Sequence, residues 1–122
     1  MAKVTGVGGI FFKARDPVAL GAWYAKHLGL RVEEWGGVRF DENPGGTGYT
    51  LWTPFAADTG YFAPSTQPYM INFRVDDLDA LLAQLRTDGV DVDDRVDESE
   101  YGRFGWIMDP EGTRIELWQP PE

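Results

Sequence analysis

The stretch Tyr69-Met70-Ile71-Asn72-Phe73-Arg74-Val75-Asp76-Asp77-Leu78 decides the fold. Residues 69–75 form an apolar run with aromatic and β-branched members that suits a strand, and the run stops at two aspartates. An aspartate caps a helix well because its side chain accepts from the orphan N–H groups of the first turn. The stripe Leu78, Leu81, Leu82 and Leu85 then recurs at helical spacing until Gly89 ends it. Strand signals return at 90–92, 104–108 and 114–118, the last two joined by the turn Asp109-Pro110-Glu111-Gly112. The order is one strand, one helix and three strands.

The same order stands in the N-terminal half. Residues 7–14, with Ile10, Phe11 and Phe12, read as a buried strand. A helix follows, with Asp16 as cap, Pro17 at its first position, Leu20, Trp23, Tyr24 and Leu28 on one stripe, and Gly29 as its stop. Short strands are predicted at 30–34, 38–41 and 49–53, separated by glycine-rich turns. Phe12 and Phe73, Asp16 and Asp77, and Leu20 and Leu81 all lie 61 residues apart, and Leu51-Trp52-Thr53-Pro54 recurs as Leu117-Trp118-Gln119-Pro120 after 66. A fixed offset that drifts only across loops marks an internal repeat. Helix set apart from a run of strands in each half points to an α+β fold with a mixed, mainly antiparallel sheet. We expect one domain over residues 1–122, with module one at about 4–58 and module two at about 68–120.

Composition narrows the chemistry. The chain has 122 residues, 43% of them hydrophobic, enough for one core. Its formal charge of −9 repels phosphate backbones, so nucleic acid is not an expected partner. With no apolar run long enough to cross a bilayer and no signal-peptide pattern, a cytoplasmic protein is expected. The absence of cysteine excludes disulfides, thiolate metal sites and a cysteine nucleophile. Asp91, Asp93, Asp94, Asp97, Glu98 and Glu100 crowd one segment, read as a solvated loop or edge. Gly6-Val7-Gly8-Gly9 precedes a strand and does not join a strand to a helix, so it is no phosphate cradle.

Residues 70–78 together with Asp109-Pro110-Glu111-Gly112-Thr113-Arg114-Ile115-Glu116-Leu117 resemble the second module of the vicinal oxygen chelate family, which includes glyoxalases, bleomycin-resistance proteins and extradiol dioxygenases. Ala22-Trp23-Tyr24 with Leu28-Gly29-Leu30 resembles the helix end of the first module. The resemblance implies two tandem βαβββ modules that curl into a cupped sheet around a cavity. It does not imply one activity, because the family holds isomerases, lyases, dioxygenases and plain drug-binding proteins. The four positions at which metal-dependent members hold a divalent ion fall here on Gly9, Thr50, Met70 and Glu116. Glycine offers no donor, threonine is weak and methionine is a poor ligand for hard ions, so only Glu116 survives and no metal or other cofactor is expected. His27, in the last turn of the first helix, reads as compensation for the helix dipole.

Strand alternation places Phe11 and Lys13 on the face of Gly9, and Asn72 and Arg74 on the face of Met70. Thr50 with Trp52, Glu116 with Trp118, and Phe104 with Trp106 are expected to complete the cup. Rings with a few polar groups are the usual makeup of a small-molecule pocket, although the same rings can be core filling; five tryptophans tip the reading to a pocket. The expected function is metal-free binding of an aromatic or amphipathic ligand. The alternative is an isomerase, lyase or dioxygenase-type enzyme in which Glu116 is the base beside Arg74 or Asn72. The resemblance also implies a homodimer that covers exposed sheet edges.

Overall fold

The computed structural model describes residues 2–41 and 49–121. Its elements are β1 (Val4–Ala14), α1 (Pro17–Leu28), β2 (Val38–Phe40), β3 (Thr50–Ala56), β4 (Tyr69–Val75), α2 (Leu78–Thr87), β5 (Asp91–Ser99), β6 (Gly102–Met108) and β7 (Arg114–Gln119). The strands form one seven-stranded mixed sheet in the order β2-β3-β1-β4-β7-β6-β5. The two modules meet at the antiparallel pair β1–β4, where two register shifts bend β1. Within the modules, β1–β3 and β4–β7 are both parallel, as a repeat requires. No helix among the described residues is long and apolar enough to cross a membrane.

Both helices start as their residues dictate. The Asp16 carboxylate accepts from Ala19 N at 3.0 Å and the Asp77 carboxylate from Ala80 N at 3.1 Å. Gly29 and Gly89 take φ of 70° and 80°, the left-handed conformation that ends each helix. The turn between β6 and β7 closes through Gly112 N to Asp109 O at 3.1 Å, with the Asp109 side chain accepting from Glu111 N and Thr113 N.

One expected strand is not there. Residues 30–34 do not form a strand, so among the described residues module one has three strands where module two has four. The chain instead curls back at once: Glu33 N donates to Gly37 O at 2.8 Å and Gly36 N to Glu33 O at 2.9 Å, with Gly36 at φ 97°. Val32 turns under α1 against Gly21, while charged Arg31, Glu33 and Glu34 face solvent. The acidic run belongs to β5, which is the edge of the sheet, so its carboxylates stay in water and discourage pairing with another strand.

The two faces of the sheet carry different cores. On the helix side of module two, Val75, Leu78, Leu82 and Leu117 are buried together with Phe73, Ile107 and Ile115 around them. On the opposite side Phe11, Met70 and Trp106 close over Phe62, which enters from the connection between the modules. Alternation along β7 produces this split: Ile115 and Leu117 face α2, while Glu116 and Trp118 face the other way.

Candidate active site

The face opposite the helices encloses a cavity of about 370 Å³. Phe11 of β1, Leu51 of β3, Asn72 of β4, and Glu116 and Trp118 of β7 form its floor. One wall is a ladder of stacked groups. The Arg39 guanidinium lies 3.8 Å from the centre of the Tyr49 ring, Tyr49 stands 4.8 Å from Trp118, and Trp118 is nearly parallel to Phe104 at 6.2 Å. Trp35 and Tyr101 stand exposed at the rim. The Trp118 indole N–H is satisfied by the Tyr101 carbonyl at 2.7 Å, which anchors the wall.

Glu116 is the chemical centre of this cavity. It is 2% exposed, and both its oxygens accept hydrogen bonds. Asn72 Nδ2 donates to Oε1 at 2.6 Å, Trp106 Nε1 donates to Oε2 at 2.9 Å, and the Tyr61 hydroxyl donates to Oε2. Burial pushes the Glu116 carboxyl above its ordinary range, against the pull of these three donors and of the Arg114 charge. The Tyr61 phenol is raised as well, by burial first and then by the neighbouring carboxylate. Part of the Tyr61 ring is exposed, yet its hydroxyl end meets a buried carboxylate. Three donors leave about one of the roughly four acceptor positions of a carboxylate open.

The family's metal finds little here to hold it. Among the described residues no group of three or more His, Cys, Asp or Glu comes together. Three N–H and O–H donors point their hydrogens at Glu116, where a cation would need oxygen or nitrogen lone pairs. His27 is exposed on α1, stacked 4.7 Å from Trp23. The described residues around Glu116 do not fit a divalent ion.

The expected site residues divide into three groups. Phe11, Asn72, Phe104, Glu116 and Trp118 line the cavity. Met70 and Trp106 lie behind it in the core, Trp106 reaching Glu116 through its indole N–H. Lys13, Thr50, Trp52 and Arg74 lie elsewhere. The Lys13 ammonium sits 5.8 Å from the Phe62 ring and lines a hollow beside α1. Thr50 Oγ1 donates to Val7 O at 2.9 Å, and Arg74 Nη1 donates to Tyr49 O at 2.6 Å beside Gly6. Trp52 is on the helix side, 5.3 Å from Phe12 and 4.6 Å from Tyr24.

The exchange of Thr50 and Trp52 for Leu51 has a register cause. The Leu-Trp-x-Pro repeat suggests that Trp52 matches Trp118, but pairing matches Thr53, opposite Phe11, to Glu116, opposite Asn72. A displacement by an odd number of residues moves every side chain to the other face. Tyr61 escaped the sequence reading because it lies on a connection, where no periodicity applies. Arg39 lies in the short strand β2 and Tyr49 and Tyr101 just outside strands, and only their proximity to Trp118 in space connects them with the site.

The sequence matches the glyoxalase-like domain family over residues 9–118. No curated protein matches it. Among solved structures, methylmalonyl-CoA epimerase from Mycobacterium tuberculosis is similar at TM-score 0.66 and 23% identity, covering 98% of this chain and 90% of that one. A variant of Streptomyces coelicolor methylmalonyl-CoA epimerase in complex with 2-nitronate-propionyl-CoA aligns at TM-score 0.73 and 20% identity over 98% and 100% of the two chains. A glyoxalase/bleomycin resistance protein/dioxygenase superfamily member from Vibrio splendidus 12B01 aligns at 0.59 and 12%, over 98% and 99%. At these identities the structures share the fold. With its family match, its paired modules and its cupped sheet, the chain belongs to the glyoxalase-like domain family of the glyoxalase/bleomycin-resistance, or vicinal oxygen chelate, superfamily.

Proposed function

We propose that the cup binds a small aromatic or amphipathic molecule bearing a carbonyl group, and that Glu116 moves a proton on it as a general base without a divalent metal. The observation that carries this reading is the buried Glu116 carboxylate on the floor of a ring-lined cavity, held by three neutral donors and pushed upward in pKa by burial. A carboxyl whose pKa is raised by burial is a stronger base for carbon-bound protons once ionised, because it holds the proton it takes more tightly. Tyr61, Asn72 and Trp106 fix the carboxylate, and the ring ladder of Tyr49, Trp118 and Phe104 offers flat surfaces to a planar ligand. Two of the similar folds are epimerases, and inverting a stereocentre requires removal and return of a proton.

A second reading, binding without turnover, is favoured by the near-complete burial of Glu116, whose oxygens are already engaged. One experiment separates the two. Carbonyl acids and aromatic ketones are incubated with the protein in D2O and followed by proton NMR for loss of the α-proton signal. Exchange that Glu116→Gln abolishes, with ligand affinity kept, supports the base. Binding without exchange across the panel leaves the cup as a receptor and overturns the catalytic reading.

A further inference from the structure

Among the described residues that line the cup, two carry charge, and they stand in different places. Glu116 lies on the floor, whereas Arg39 comes from the edge strand β2. Register fixes the direction of Arg39. It pairs with Leu51, a floor residue, while its neighbours Val38 and Phe40 pair with Trp52 and Thr50, which face away from the cup. The guanidinium is held in a fixed plane: it lies over the Tyr49 ring at 3.8 Å, and its Nε donates to Asp41 Oδ1 at 2.9 Å. Tyr49 is pinned in turn by the bond from Arg74 Nη1 to its carbonyl. These contacts use one face of the Arg39 guanidinium and one N–H. Its two Nη groups make no hydrogen bond to the described residues, and the side chain is 51% exposed.

We propose that Arg39 is a specificity-determining residue: the cup takes an aromatic acid whose carboxylate is held by the Arg39 Nη groups at the mouth and whose opposite end is presented to Glu116. The proposal rests on the small-molecule reading of the cup and adds the charge and the orientation of what it takes. With Nε given to Asp41, the end of the guanidinium still offers two parallel N–H donors, which match the two oxygens of a carboxylate. Glu116, when ionised, repels that same group, so an acid enters with its carboxylate last. The rings of Tyr49 and Trp118, 4.8 Å apart, lead from Arg39 to the strand that carries Glu116 and give the aromatic part its bed. The formal charge of −9 opposes anions over the molecule as a whole, so acceptance of an acid depends on the cation that faces the cup.

Calorimetric titration of the whole chain tests this with two probes of one shape, 2-naphthoate and its neutral counterpart 2-naphthamide. The wild type is expected to bind the acid about tenfold more tightly than the amide, through a charge-assisted pair at a half-exposed site. Arg39→Gln should abolish that preference and leave the affinity for the amide within about twofold. Arg39→Lys keeps the charge without the fork and should reduce the preference to about threefold. It decides the matter if Arg39→Gln melts below the assay temperature, an undiminished preference in the lysine variant then overturning the role of the fork. Equal affinity of the wild type for acid and amide, or a preference that survives Arg39→Gln, overturns the proposal while leaving the cup as a binding site. Failure of the wild type to bind either probe strikes the cup itself and this proposal with it. The role of Glu116 as base is judged separately, by exchange in D2O, because neither titration involves transfer of a carbon-bound proton.

Discussion

Module one and module two share a fold and differ in what they bury. The helix α2 sinks Leu78 and Leu82 into the sheet, whereas the one buried residue of α1 is Gly21, which stands 61 residues before Leu82 at the matching position. Module two keeps all four of its strands, and module one replaces its second with a turn. The chemistry divides in the same way. Asn72 and Glu116, paired across β4 and β7, are matched in module one by Phe11 and Thr53, paired across β1 and β3. At these matched positions module two thus brings the polar pair of the cavity floor, where module one has only a ring and a hydroxyl. A duplicated framework can keep its geometry while one copy sheds donors, because strand pairing needs only backbone groups.

The comparison can be broken most forcefully at the helices. Leu82→Ala should destabilise the fold by about 2–5 kcal/mol, the usual cost of truncating a buried leucine. Urea unfolding monitored by tryptophan fluorescence reads this directly; a loss of less than about 1 kcal/mol would mean that α2 is no better seated than α1.

A second test uses pH. Burial raises the folded pKa of Glu116 above its ordinary value of 4.5, so the folded state holds the proton more tightly than the unfolded chain does. The stability this lends is fully present below the unfolded pKa and is lost as pH rises through the folded one. Each unit of upward shift corresponds to about 1.4 kcal/mol. Glu116→Gln has no such group, so the wild type should lose ground to the variant as pH climbs from 4.5, as seen in paired melting curves. Parallel pH profiles would refute the upward shift.

Two smaller effects sharpen the contrast. The Thr53 hydroxyl is buried without a hydrogen-bond partner, so Thr53→Val should be neutral or stabilising by up to about 1 kcal/mol. At Gly21 an added Cβ would meet Val32 at 3.5 Å, ordinary contact, and the residue is helical. Gly21→Ala should therefore stabilise by about 0.5–1 kcal/mol through helix propensity alone. Destabilisation on chemical unfolding of Gly21→Ala would show that α1 is packed more tightly against Val32 than its contacts imply.

Elements closed by local chemistry were legible in the sequence. Residues 69–75 form β4 with the bounds their composition suggests, and Asp16, Asp77, Gly29 and Gly89 bound the helices where capping predicts. Residues 30–34 misled because alternation is cheap to mimic in five residues and the turn at Gly36 removed any partner strand. The faces of Thr50, Leu51 and Trp52 depended on pairing with β1, which a repeated motif does not specify. Glu116 was visible as a lone carboxylate among apolar strand residues, but its partner Tyr61 was set by the path of residues 57–68 through space, carrying Phe62 into the core beside it.

The most direct test is carboxyl carbon NMR of Glu116, assigned by comparison with Glu116→Gln and titrated with and without 2-naphthol. The account predicts a midpoint above the ordinary 4.5 and a resonance that moves when the aromatic compound fills the cup. A midpoint at or below that value, with a resonance indifferent to the ligand, would contradict it.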